Sequence, residues 1–291
     1  MSKKNRNASN VGDGGVISRR EFIQKSAVLT ASLAAGTTFV DALGPTASHA
    51  NQVDPNDPAL ISTDVKFTSA DGASIGAYVT RPKGEAKRPA VIVIHDNAAL
   101  DDHNRDIGRR LAKAGYVAIV PDLISRQGST RSFPNPAAVA QAISKTDQEE
   151  IIKDLTAAAN YVKGQSFVQA NKVGVVGFCW GGANSLLFST RNKDLAAAVV
   201  YYGRNPRNLD DTQNIAAPLL AHYGELDKPI TSEVPKLEEA MKKYGKSFEY
   251  KIYADAPHAF NSDTRPDRYR PAAAKEAWGR TLEFFKKHLQ G

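Results

Sequence analysis

Val173-Gly174-Val175-Val176-Gly177-Phe178-Cys179-Trp180-Gly181-Gly182-Ala183-Asn184 is the stretch whose reading decides the fold. Its first part is β-branched and apolar, the mark of a strand covered on both faces. Its last part opens an Ala-rich segment with helical character. Between them, Gly177-x-Cys179-x-Gly181 has the spacing of a sharp strand-to-helix turn with the nucleophile at its apex, here with cysteine in place of serine. Glycine is required on both sides because the turn presses the backbone against its neighbours and leaves no room for a Cβ. The apex residue projects at the start of a helix, where the macrodipole and unpaired N–H groups favour negative charge. A lone cysteine elsewhere would read as a small buried hydrophobe. With only one in the chain, an internal disulfide and a Cys-rich metal site are both excluded.

Working outward, strand-like and helix-like segments alternate. Residues 65–67 and 75–79 are short alternating runs around Asp71-Gly72 and predict an antiparallel pair at a sheet edge. Residues 90–94 and 116–120 are buried strands with a helix over 103–114 between them. The polar stretch 125–145 shows no clear period, and 148–162 carries Ile151, Ile152, Leu155, Ala159 and Val162 at helical spacing. Strands follow at 197–202, 218–223 and 248–253, with helices over 234–244 and 272–288. This alternation predicts an α/β fold, a mostly parallel sheet with helices on both faces, in one domain.

A cysteine nucleophile needs a base and a group that orients the base. Asp227 follows the strand ending at Tyr223, and His258 follows the strand ending at Tyr253. Both emerge at the carboxyl edge of the sheet, as Cys179 does, in the chain order nucleophile, acid, histidine. His49, His103, His222 and His288 fit less well, lying in the leader, a helix, a strand and the terminal helix. His95 ends the strand 90–94 at the same edge and is assigned a supporting role. The loop after it, Asp96-Asn97, would supply the second oxyanion N–H, the backbone amide of Asn97, beside that of Trp180. A metal site built from His95, Asp96, Asp101, Asp102 and His103 has no recognised ligand spacing, so no metal is assigned.

The N-terminus reads as an address. Arg19-Arg20 precede Phe22-Ile23, a moderately apolar run over 26–43 follows, and Ser48 and Ala50 place small residues at −3 and −1 of a cut after Ala50. That order is an export signal of the twin-arginine type, expected to engage the export machinery and to deliver a periplasmic or otherwise exported protein; an uncleaved anchor is the alternative. The run is too short and too interrupted by Asp41 for a stable membrane span. The expected organisation is a signal over 1–50, a linker over 51–61 and a catalytic domain over 62–291. Six basic against three acidic residues in 1–50 leave +4 of the formal +7 charge for the rest, too little and too scattered for nucleic acid.

Gly177-Phe178-Cys179-Trp180-Gly181-Gly182, Glu225-Leu226-Asp227 and His258-Ala259-Phe260 resemble, in motif and spacing, the dienelactone hydrolase family, and the likeness runs from about residue 62 to the C-terminus. The resemblance implies an α/β-hydrolase fold of eight strands and a Cys179-His258-Asp227 triad. It also implies hydrolysis of an enol-lactone through an acyl-thioester, with no cofactor (carboxymethylenebutenolidase activity). In that family a glutamate helps activate the thiol; its place falls on Asp96, one methylene shorter. Two arginines bind the substrate carboxylate; one falls on Arg126, while the place of the other holds Ser262, with Arg265 and Arg268 nearby. The expected partner is therefore a small ester or lactone bearing a carboxylate. A broader carboxylesterase or thioesterase, and a non-catalytic binding protein on the same fold, stand as alternatives.

Overall fold

The computed structural model of the chain describes residues 52–291, so the expected signal over 1–50 lies outside the described residues. Eight strands form one sheet in the order β1-β2-β4-β3-β5-β6-β7-β8. They are β1 Leu60–Thr68, β2 Ser74–Pro82, β3 Arg88–Ile94, β4 Val117–Pro121, β5 Val168–Phe178, β6 Ala197–Tyr201, β7 Leu219–Gly224 and β8 Phe248–Tyr253. β1 and β2 pair antiparallel around the Asp71-Gly72 turn, with Phe67 opposite Ile75, and β2 pairs antiparallel with β4. Every other neighbour is parallel. The strand pattern follows burial. β4, β6 and β7 are buried at every residue, whereas the edge strands β1 and β8 keep most of their residues partly or fully exposed.

Among the described residues, seven α-helices accompany the sheet: α1 Asp102–Lys113, α2 Pro136–Ser144, α3 Gln148–Lys163, α4 Trp180–Arg191, the single turn α5 Lys228–Thr231, α6 Val234–Lys243 and α7 Pro271–Phe285. α3 shows how the sequence specifies one of them. Asp147 caps its start by accepting from the amides of Glu149 and Glu150, and Ile151, Leu155, Ala158, Ala159 and Val162 form its buried stripe. That stripe joins the core on one face of the sheet, together with Leu186 and Phe188 of α4 and Leu237 and Met241 of α6. Ile107 and Leu111 of α1 and Ala277, Phe284 and Phe285 of α7 pack on the other face. Each fully buried aliphatic or aromatic side chain of this kind contributes about 1.5–3 kcal/mol.

Several boundaries differ from expectation, three of them informatively. The stretch 125–145 contains α2, whose start is marked by Asn135 accepting from the amide of Ala138 and by Pro136 at the first helical position. It is short and Ala-rich, so its period is weak. The terminal helix changes at Lys286 into a π-helical turn that runs to Gln290. Within the stretch expected as a linker, 51–61, β1 begins at Leu60, and upstream of it the backbone N–H of Val53 donates to Asp106 of α1 at 2.8 Å. Those residues are held by side chains far along the chain, which local composition does not reveal.

Strand order reverses at β3, which pairs with β4 on one side and β5 on the other. In an open parallel sheet such a reversal opens a crevice at the carboxyl ends of the two diverging strands. β3 leads into Asn97 and β5 into Cys179, so both residues leave the sheet at that crevice.

Candidate active site

Cys179 occupies φ +56°, ψ −115°, outside the regions that side chains ordinarily favour. Such strain, of order 1–3 kcal/mol, persists only where the surroundings over-determine it. Here they do so through backbone contact. A Cβ on Gly177 would collide with the Gly181 carbonyl, and one on Gly181 with the carbonyls of Ile94 and His95. The start of α4 is thereby pressed onto the end of β3. The Cys179 amide donates to the Tyr201 carbonyl at 3.0 Å, tying the turn to β6.

Asp227 and His258 arrive from the loops that follow β7 and β8. The amides of Glu225 and Leu226 donate to the carbonyls of Tyr253 and Ala256, so the loops after β7 and β8 are bonded to each other. His258 Nδ1 donates to Asp227 Oδ2 at 2.6 Å, and Nε2 lies 2.9 Å from Cys179 Sγ. Asp227 is 8% exposed and the thiol half-buried. Burial pulls the His258 imidazole towards the neutral form, but the hydrogen bonds to Asp227 and Cys179 outweigh it and raise its pKa from 6.5 to about 9. The ring beside the thiol is thereby drawn towards its charged form. Tyr202 packs edge-on against it, with ring centroids 5.1 Å apart. Burial first, and then the charges of Asp96 and Cys179, hold the Tyr202 phenol protonated.

These three side chains face a cleft of about 420 Å³ whose other walls are Asn97, Trp180, Ala183, Tyr202, Arg204, Pro229 and Ile230. The Trp180 amide, at the first position of α4, has no acceptor within the helix. His95 is fully buried. Its Nε2 accepts from the Leu123 amide at 3.2 Å, so Nδ1 carries the proton donated to the Asp96 carbonyl at 2.8 Å. Its ring stacks on Trp180, with centroids 5.4 Å apart.

Asp96 is buried, but its carboxylate accepts from the Ala98 amide at 3.0 Å and from Asn104 Nδ2 at 3.1 Å, with Arg265 at 3.6 Å. The hydrogen-bond partner of the thiol is His258, not Asp96. Arg126 is not at the cleft. Asp154, 1% exposed on α3, needs a cation, and Arg126 meets it with two bonds of 2.9 and 2.8 Å while also pairing with Asp71. These bonds, Asp154 first, hold its guanidinium charged. The place of the second arginine offers no substitute. Ser262 bonds Thr264, Arg265 leans on Asp96, and Arg268 pairs with Asp267.

The cleft does hold one cation that the sequence reading passed over. Arg204 is exposed, lines the cleft and makes no hydrogen bond or ion pair among the described residues. It follows Tyr202-Gly203 at the end of β6, so the rule that located Asp227 and His258, inspection of every strand's carboxyl end, applies equally to it.

Comparison with known proteins gives the family. A profile of the dienelactone hydrolase family matches residues 75–289. The chain belongs to the dienelactone hydrolase family. A protein of Methylorubrum extorquens named as a carboxymethylenebutenolidase is 32% identical over 278 residues, covering 91% of this chain and 94% of its own. A Bradyrhizobium protein named as a 2-oxo-3-(5-oxofuran-2-ylidene)propanoate lactonase is 33% identical over 242 residues, covering 79% of this chain and 96% of its own. A crystal structure described as a dienelactone hydrolase of Klebsiella pneumoniae aligns with TM-score 0.73 and 31% identity, over 79% of this chain and 99% of that one. The fold is that of the α/β-hydrolases, and the chain is a carboxylic ester hydrolase acting on lactones or esters.

Proposed function

We propose that this hydrolase works through Cys179 as nucleophile, His258 as general base and acid, and Asp227 as the group that orients His258. The observation that carries the reading is the unbroken chain of hydrogen bonds, 2.9 and 2.6 Å, from Sγ through the imidazole to the carboxylate at the wall of the cleft. The thiolate adds to the substrate carbonyl, and the oxyanion meets the backbone N–H groups of Trp180 and Asn97. Collapse expels the alkoxide, which takes the proton from His258 and leaves an acyl-thioester on Cys179. His258 then removes a proton from water, the hydroxide adds to the thioester carbonyl, and the thiolate departs. In a lactone both product halves stay on one molecule until that second step.

The substrate that fits best is a small lactone carrying a carboxylate. Arg204 supports this as an unpaired cation in an otherwise largely apolar cleft, and the name of the Bradyrhizobium relative describes a lactone of that kind. The apolar walls formed by Trp180, Ala183, Pro229 and Ile230 favour a second reading, a broader carboxylesterase. Turnover of a carboxylate-bearing dienelactone and of a neutral p-nitrophenyl ester separates the two. Cys179→Ala abolishes both activities in a folded protein; residual hydrolysis at the wild-type rate would remove the mechanism. Arg204→Ala raises KM for the lactone by about tenfold to a hundredfold and leaves the neutral ester unchanged. Equal effects on both substrates favour the esterase reading.

The same proposal includes export by the twin-arginine route, supported by Arg19-Arg20, the apolar run and Ala50. Cell fractionation tests it. Replacing both arginines with lysine leaves the protein in the cytoplasm; unchanged recovery outside the inner membrane rejects the assignment.

A further inference from the structure

The loop that carries His258, residues 254–270, has no regular secondary structure, yet it must hold an imidazole 2.9 Å from a thiol. Ala259, next to the histidine, sits at φ +64°, a left-handed conformation that alanine keeps only where other contacts enforce it. Upstream of His258 the loop is bonded through Tyr253 and Ala256 to the loop of Asp227. Downstream, the strongest restraint is Asp263. Asp263 is 6% exposed, and its carboxylate accepts from Arg110 Nη2 and Gln52 Nε2, both at 2.7 Å, while His103 Nδ1 lies 3.1 Å away.

We propose that Asp263 is a positioning residue, which ties the His258 loop to α1 and to the first described residues of the chain and so keeps the imidazole within reach of Cys179. The anchor it grips is itself fixed. Arg110 Nε donates to Asp106 Oδ2 at 2.5 Å, and Asp106 is fully buried. Asp106 also accepts from the Val53 amide at 2.8 Å, and Arg109 Nε donates to the Val53 carbonyl at 3.0 Å. Gln52 and Val53 therefore form a strap, with Val53 fastened to α1 and Gln52 reaching the His258 loop. Residues just beyond the expected cleavage point become part of the catalytic scaffold. From the same part of the loop, Arg265 leans towards Asp96 on the oxyanion side at a looser 3.6 Å. Loss of Asp263 frees Ala259 to relax to a favoured conformation, and His258 moves with it.

The inference rests on His258 acting as the base of Cys179. Its test is the Asp263→Asn variant of the mature protein, assayed with a neutral ester below its unfolding transition. The expected result is a kcat about tenfold or more lower with KM within about twofold, and a pH profile of Cys179 alkylation by iodoacetamide displaced towards that of a free cysteine. A lower denaturation midpoint with unchanged kcat and an unchanged alkylation profile overturns the proposal, because a purely structural tie behaves that way. Should Asp263→Asn not fold, Gln52→Ala removes a single partner from the periphery. It then shows the same two changes at about two- to threefold, and their absence in the folded variant overturns the proposal equally. Hydrolysis surviving in Cys179→Ala removes the triad reading instead, and the alkylation comparison distinguishes that outcome.

Discussion

The turn of Cys179 and the loop of His258 deliver two atoms to within 2.9 Å of each other by opposite means. The turn is held by backbone against backbone. Gly177 and Gly181 let the strand, the helix start and the end of β3 approach more closely than any side chain allows. The loop, beyond the backbone bonds of Tyr253 and Ala256 to the Asp227 loop, relies on side chains: Asp227 on the imidazole, and Asp263 gripped by Arg110 and Gln52 with His103 beside it. Both hold non-glycine residues at positive φ, Cys179 at +56° and Ala259 at +64°. Backbone packing tolerates no change, whereas a set of ion pairs can lose one member and keep the rest. The two halves of the site should therefore fail differently under mutation.

The largest effect is expected at the turn. Gly181→Val places a side chain against the carbonyls of Ile94 and His95, at and just past the end of the central strand β3, which cannot yield without moving the sheet. The clash lies at the upper end of single-substitution costs, about 4–5 kcal/mol or more. The expected outcome is loss of soluble folded protein, read by circular dichroism and gel filtration. A folded and active Gly181→Val would show that the turn has slack after all.

Next comes the tie between Asp227 and His258. Asp227→Asn keeps the shape but presents an amide that no longer stabilises the imidazolium, and kcat falls by about 10²- to 10⁴-fold with folding intact. Measured beside Gly181→Val, it separates a lost scaffold from a lost proton relay. A kcat within about threefold of wild type would instead assign the orientation of His258 to the loop alone.

This asymmetry explains what could be read in the sequence. Val173 to Ala183 advertises itself because backbone packing demands glycine at set spacing, and the chain order of Asp227 and His258 completes a pattern along the strand ends. Ion-pair partners leave no such trace. Asp263 and Gln52 are 211 residues apart, and nothing local to either announces the other. Arg126 lies away from the cleft for the same reason, since the demand of buried Asp154 is visible only in three dimensions. Arg126→Ala consequently leaves Asp154 buried without its cation and costs on the order of 3 kcal/mol of stability. KM for a carboxylate-bearing lactone stays within about twofold of wild type. A urea titration and a saturation curve check the two statements, and a large rise in KM would return Arg126 to the substrate shell.

The smallest expected effect is a pH dependence that belongs to the loop rather than the turn. The folded-state pKa of His258 is raised to about 9 from 6.5. A raised histidine binds its proton more tightly in the folded protein, so its stabilising contribution is complete below about 6.5 and is lost as pH climbs through 9. With a side chain 23% exposed, solvent screening keeps that contribution on the order of 1–2 kcal/mol. Urea midpoints of the wild type should therefore fall between pH 6.5 and 9.5. The His258→Gln variant, lacking the titrating ring, should fall less across the same interval. The difference between the two slopes isolates the imidazolium held by Asp227 and Cys179 from every other group that titrates there. Parallel slopes would mean that His258 is no better a proton acceptor in the folded loop than in the open chain. The loop would then position the ring sterically, as the turn positions its cysteine, and the contrast between the two halves of the site would disappear.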